Sequence, residues 1–219
     1  MPMIDADGCL LNVSVEGRDS GPTLMMSNSL GCTMAMWEPQ MPALTKLFRV
    51  IRYDRRGHGK SGMNGPTSME RYGKDVLAIL DDLNIDKVHW CGLSMGGMVG
   101  QWLGANAPER FNKIILANTS CYYPDPTNWH NRIKAVREGG LKAVADAVIG
   151  GWLTAHFPRA RARDHREDEG NADRLTGRRL SCCLRGAEHA RSARAAAQDQ
   201  KPNAGDRRPS GQRDTGCGW

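Results

Sequence analysis

The run Val88-His89-Trp90-Cys91-Gly92-Leu93-Ser94-Met95-Gly96-Gly97 sets a serine between two glycines as Gly92-x-Ser94-x-Gly96. A serine attacks an acyl carbon only if its hydroxyl stands clear of the backbone and helix-start amides can receive the substrate oxygen. A sharp turn from a strand into a helix supplies both. Such a turn brings the chain close to itself and strains the residue at its tip, so Gly92 and Gly96 are read as removing side chains that would collide, with Gly97 adding clearance. An apolar run precedes the motif, and Met98, Val99, Trp102 and Leu103 follow at helical spacing until Ala107-Pro108. The pattern points to acyl transfer with Ser94 as nucleophile.

The elements that must hold this turn are legible on either side of it. Residues 9–17 alternate apolar and polar and end in glycine, as a half-exposed strand does. Pro22 to Ser27 reads as a central strand buried on both faces, opening into Asn28-Ser29-Leu30-Gly31. Trp37 and Pro39 begin a helix reaching about Leu47, and Phe48 to Tyr53 is a buried strand that delivers Asp54-Arg55-Arg56-Gly57-His58-Gly59-Lys60-Ser61. Thr67-x-x-Glu70 is a capping box that predicts a helix from Ser68 to about Asn84. Asn112 to Asn118 reads as one more buried strand. This alternation predicts an α/β fold, a mostly parallel sheet covered by helices on both faces, with the site at the carboxyl ends of the strands. From Trp129 the pattern changes: Arg132 to Glu138 and Leu141 to Trp152 read as two helices joined at Gly139-Gly140, suited to a lid.

Composition bounds the rest. The 219 residues fit one domain, read as an α/β core at 1–128, a helical lid segment at 129–157 and a tail at 158–219. Net charge is +6, but residues 1–158 hold 16 Lys+Arg against 15 Asp+Glu and residues 159–219 hold 14 against 9, so the basicity belongs to the tail. Those last 61 residues contain no Val, Ile, Met, Phe or Tyr and thirteen Arg against one Lys, too little apolar surface to repay the entropy of ordering, and disorder is expected there. The tail lacks aromatic interleaving, so nucleic acid is not the expected partner. Neither a membrane span nor a leader is read, and a cytoplasmic protein is expected. Seven cysteines with no C-x-x-C pair indicate neither disulfides nor zinc; Cys9, Cys32, Cys91 and Cys121 are expected as buried thiols.

The Gly92–Gly96 turn, the Asp54–Gly59 loop and the alternating order resemble the α/β-hydrolase fold. More narrowly, Ser27–Gly31, Cys91–Gln101, Leu116–Thr119 and Arg132–Thr154 resemble the 3-oxoadipate enol-lactonase family of the β-ketoadipate pathway of aromatic degradation. The resemblance runs over roughly residues 8–157 and then stops. It implies hydrolysis of 3-oxoadipate enol-lactone to 3-oxoadipate through an acyl-enzyme on Ser94, with the backbone N–H groups of Leu30 and Met95 as the oxyanion hole, a small lactone or ester as the only partner, and no cofactor or metal. Trp129, Arg132 and Lys134 are the candidates to meet a substrate carboxylate under the lid.

The family pattern continues through further strands that present an acid and a histidine, and nothing after residue 157 resembles them. The part of the fold that follows the lid is therefore expected to be missing. The change from mixed Lys and Arg to almost pure Arg with Ala, Gly and Pro suggests a shift of reading frame near codon 157. Of the histidines present, His58 sits in a glycine-flanked loop that is a structural turn in this family, His89 precedes the serine strand, and His130 and His156 lie in the lid. His165 and His189 lie in the tail, and Cys182-Cys183 with His189 lacks metal spacing. Asp54 is expected to bond loop amides, Asp81 and Asp82 to be solvated, and Trp37 to pack. Two other readings compete with an active lactonase or esterase: an impaired remnant whose sheet ends on an unpaired edge, and, last, a nucleic-acid binder acting through the tail.

Overall fold

Period-two patterning sorts the side chains of the central strands onto two faces of one sheet. The computed structural model describes residues 2–140 and 142–152. The tail and its expected disorder, the boundary at residue 158, and His156, His165 and His189 lie outside the described residues. Six strands form one sheet among them: β1 (Met3–Asp5), β2 (Leu10–Gly17), β3 (Thr23–Ser27), β4 (Arg49–Tyr53), β5 (Val88–Leu93) and β6 (Phe111–Ala117), in the order β1-β2-β4-β3-β5-β6. β2 runs antiparallel to both β1 and β4, whereas β3, β4, β5 and β6 are parallel. β3 is central, as its unbroken apolar run requires.

Met25, Ile51 and Trp90 point to one face, where they meet Val76, Ile79 and Leu80 of α2 (Met69–Asp82) and Val99 and Leu103 of α3 (Met95–Asn106). Leu24, Met26 and Val50, one residue out of phase, point to the other and meet Trp37 and Met41. Each fully buried aliphatic side chain of these layers contributes about 1.5–3 kcal/mol. Helices thus cover both faces. α2 and α3 approach closely at Gly73, where a Cβ would strike the Trp102 ring.

Four expectations are corrected. The cap of α2 is Ser68, one residue beyond the expected Thr67: its side chain accepts from the Arg71 N–H at 3.0 Å, and Glu70 pairs with Lys74 at 2.6 Å. The helix expected from Trp37 to Leu47 is a 3₁₀ segment, Met34–Gln40, followed by a single α turn, α1 (Met41–Leu44), because Pro39 and Pro42 each remove a donor. Cys121 is exposed, and Cys32 and Cys91 only half buried; Cys9 alone of the four is buried. β6 is not buried. It pairs only with β5 among the described strands, and Ile115 and Leu116 are 57% and 43% exposed. An apolar run has the same composition whether or not a further strand covers it, so sequence alone cannot tell an edge from an interior.

α4 (Thr127–Gly139) and α5 (Lys142–Trp152) follow, joined at Gly140, whose φ of 70° suits glycine. Ile133 and Val136 are the buried residues of α4, and they pack with Leu30, Trp129 and Val144.

Candidate active site

β5 ends at Leu93 and α3 begins at Met95, so Ser94 alone makes the turn, with φ 53° and ψ −112°. A non-glycine residue held there carries about 1–3 kcal/mol of strain and persists only where its surroundings enforce it. They do. The Ser94 N–H donates to the Ala117 carbonyl at 2.9 Å, and the Ser94 carbonyl accepts from Thr119 Oγ1 at 2.6 Å and from the Met98 N–H at 3.1 Å. A Cβ on Gly92 would overlap the Gly96 carbonyl, one on Gly96 would overlap the Ser27 carbonyl, and one on Gly97 would strike Thr119. The glycine spacing therefore has the steric origin expected of it. Ser94 is half buried.

On the β3 side the loop Asn28–Gly31 faces this turn, and its polar groups are nearly all engaged. The Asn28 carbonyl accepts from the Gly96 N–H at 3.1 Å and also from Arg55 Nη2. The Asn28 side chain donates to the Tyr53 carbonyl at 2.9 Å and accepts from Trp37 Nε1 at 2.9 Å. Ser29 N–H approaches Met36 Sδ at 3.4 Å, and Gly31 N–H donates to His58 Nε2 at 3.1 Å. The Leu30 amide has no partner among the described residues, and Met95, first in α3, is in the same condition. Two unengaged N–H groups on loop and helix, tied together through Asn28, can hold an oxygen that gains negative charge.

The loop after β4 is the support beneath. Asp54 accepts from Met34 N–H at 2.9 Å, Lys60 N–H at 3.0 Å and Asn12 Nδ2 at 2.8 Å, so it bonds loop amides as expected. Gly59, at φ 49°, leaves the room that carboxylate needs. Arg56 forks onto Asp75 at 2.7 and 3.0 Å. His58 is fully buried, and its pKa is lowered to about 3, first by burial and then by the charge of Arg55. Its Nε2 accepts from Gly31, which assigns the proton to Nδ1, 3.2 Å from the Arg56 carbonyl. A neutral ring committed to that acceptance is a strut, not a base.

The remaining expected residues distribute unevenly. Trp129 shares an apolar cluster with Leu30, Ile133 and Val136, which brings α4 against the Asn28–Gly31 loop. Arg132 lies over the Trp129 ring at 5.1 Å, and Tyr123 meets that ring edge-on at 5.6 Å; burial lowers the Arg132 pKa. Lys134 and His130 are exposed, and His89 sits near the opposite end of β5 from Ser94. Trp37 packs, and Asp81 and Asp82 are exposed, Asp81 pairing with Arg110 at 2.8 Å. Among the described residues no group of three His, Cys, Asp or Glu could hold a metal, and no helix is long and apolar enough to cross a membrane. Sequence reasoning missed the roles of Asn28, Arg55 and Thr119. Asn28, a polar residue directly after an apolar strand, was the one of these with a readable signal.

A mostly parallel sheet in this strand order, with a strained serine where a strand meets a helix, defines a class, and the chain belongs to the alpha/beta hydrolase fold family, whose model matches residues 22–175. That match passes residue 157, where the sequence resemblance was expected to stop, into the part outside the described residues. Within the family the chain is similar to 3-oxoadipate enol-lactonase 2 of Acinetobacter baylyi, 41% identical over 155 residues that cover 70% of this chain and 58% of that protein. It is also similar to the putative carbamate hydrolase RutD of Agrobacterium fabrum, 31% identical over 70% of this chain and 63% of that one. The crystal structure of the enol-lactonase from Burkholderia xenovorans LB400 superposes with a TM-score of 0.80 at 34% identity, covering 84% of this chain and 72% of that one. The chain thus spans somewhat under two thirds of the length of these curated relatives.

Proposed function

We propose that the chain is a cytoplasmic hydrolase of the enol-lactonase type, opening the ring of 3-oxoadipate enol-lactone to give 3-oxoadipate. Ser94 Oγ adds to the lactone carbonyl while its proton passes to a base. The carbonyl oxygen becomes an oxyanion against the Leu30 and Met95 N–H groups. Collapse breaks the ring C–O bond and expels an enolate, which takes a proton at carbon, directly or through the enol, to become the ketone, and water then hydrolyses the Ser94 ester to release the free acid. Trp129, packed beside Leu30, and Arg132, over the Trp129 ring, are the candidates to meet the substrate carboxylate under the lid. No cofactor enters these steps. The observation that carries the reading is Ser94 at φ 53°, bridged through Asn28 to a loop that keeps one amide free.

A second reading is an impaired remnant, and two observations favour it: the exposed apolar edge at Ile115 and Leu116, and the lack of a histidine suited to be the base among the described residues. Without that base a triad hydrolase keeps only the slow catalysis of binding and oxyanion stabilisation. One experiment separates them. The full chain is assayed with the enol-lactone and a simple ester beside Ser94→Ala; turnover lost in the variant supports the hydrolase, and a folded but silent wild type supports the remnant. Reading the DNA downstream of codon 157 in the other two frames tests the origin of the tail: absence of strand-like sequence there removes the frameshift. Nucleic acid has no part in this reading, and salt-sensitive retention on DNA that disappears with residues 159–219 would count against it.

A further inference from the structure

Arg55 is only 1% exposed, yet no carboxylate lies within ion-pair distance of its guanidinium among the described residues. Its neighbour Arg56 is equally buried but forks onto Asp75. Arg55 instead donates one Nη2 bond to the Asn28 carbonyl and rests over the Tyr72 ring at 5.5 Å, while its Nε and Nη1 find no acceptor. A buried cation left without a counter-ion is expensive, and a well-packed apolar replacement is often neutral or stabilising. Packing therefore does not account for it, but its position does. The carbonyl it grips is the one that accepts the Gly96 amide, so a single oxygen joins the loop after β4, the Asn28–Gly31 loop and the first turn of α3.

We infer that Arg55 is a positioning residue for the oxyanion loop: its uncompensated guanidinium grips the Asn28 carbonyl and so keeps the Leu30 amide in register with Ser94. The catalytic meaning of that register rests on the proposed function; the clamp itself does not. The positive charge beneath the loop also favours the negative charge that would gather at the two free amides. The same charge helps keep His58 neutral, so that His58 can go on accepting from Gly31 at the loop's other end.

The test compares the full chain with Arg55→Met, which keeps the bulk and removes the charge, and Arg55→Lys, which keeps the charge and loses the fork. Three quantities are read: thermal stability, hydrogen–deuterium exchange of peptides covering residues 28–32, and the rate at which a fluorophosphonate labels Ser94. In Arg55→Met the loop should exchange about tenfold faster while β3 and β5 stay protected, and labelling should slow about tenfold, less than the 10²–10³ lost with an oxyanion donor. Its melting temperature should not fall, and Arg55→Lys should lie between the two. Unchanged exchange at residues 28–32, or loosening of β3 and β5 to the same degree, overturns the inference. Should Arg55→Met not fold, Arg55→Lys decides on the same exchange criterion. A wild-type chain that the probe never labels refutes the Ser94 reading, and the exchange result still judges the clamp.

Discussion

Ser94 is held from two sides that differ in how they are themselves held. On the β3–β4 side, Asn28, Asp54, Arg55, Arg56 and His58 are all buried and bonded into one polar network that ends on the Gly96 amide. On the β6 side, Ala117 and Thr119 bond the Ser94 backbone just as closely, but the strand that Ala117 ends leaves Ile115 and Leu116 half in water and has no described strand beyond it. The difference teaches that a strained turn can be built with one rigid wall and one soft one. In a buried network each lost partner strands another polar group, whereas an exposed edge residue has little left to lose.

The contrast can be broken most severely at the turn shared by both sides. Gly92→Ala should destabilise by more than about 4 kcal/mol or prevent folding, since its Cβ would overlap the backbone of Gly96, as urea unfolding would report. Acid should act next, through the rigid wall. The unfolded state binds a proton at His58 below its ordinary pKa near 6.5, and the folded state refuses it until about 3. Stability contributed by His58 is therefore full above 6.5 and falls through the window from 6.5 to about 3, at roughly 1.36 kcal/mol per pH unit. Unfolding free energies measured across that window should lose this slope in His58→Gln, and an unaltered slope would contradict the assignment. Asp54→Ala strands the donors of Asn12, Met34 and Lys60 and should cost about 3 kcal/mol in the same assay. Smallest is Ile115→Thr on the soft wall, within about 0.5 kcal/mol and with less aggregation on concentration. A loss there as large as that at Asp54 would mean that β6 is covered in solution and that the two walls are alike.

Much of this was readable in advance for a physical reason: local patterns report local geometry. The glycines around Ser94, the period-two strands and the 3.6-residue stripe of α2 each depend on neighbours a few residues away. The cap at Ser68 in place of Thr67 shows the limit of that reading, since both side chains can cap and only the backbone path chooses. The loop Asn28–Gly31 was recognisable as a segment, but not the reason its Leu30 amide stays free.

Taken alone, the order of residues determined the layered fold, the serine turn and its steric requirements, because those follow from side-chain size and spacing along one stretch of chain. Tertiary structure alone decided which bonds hold His58 in its structural role, that among the described residues Arg55 has no counter-ion while Arg56 has one, and that the apolar β6 stands at an edge. Each of those depends on groups brought together from distant parts of the chain, where burial sets the energy of a charge and a missing neighbour leaves an apolar strand in water.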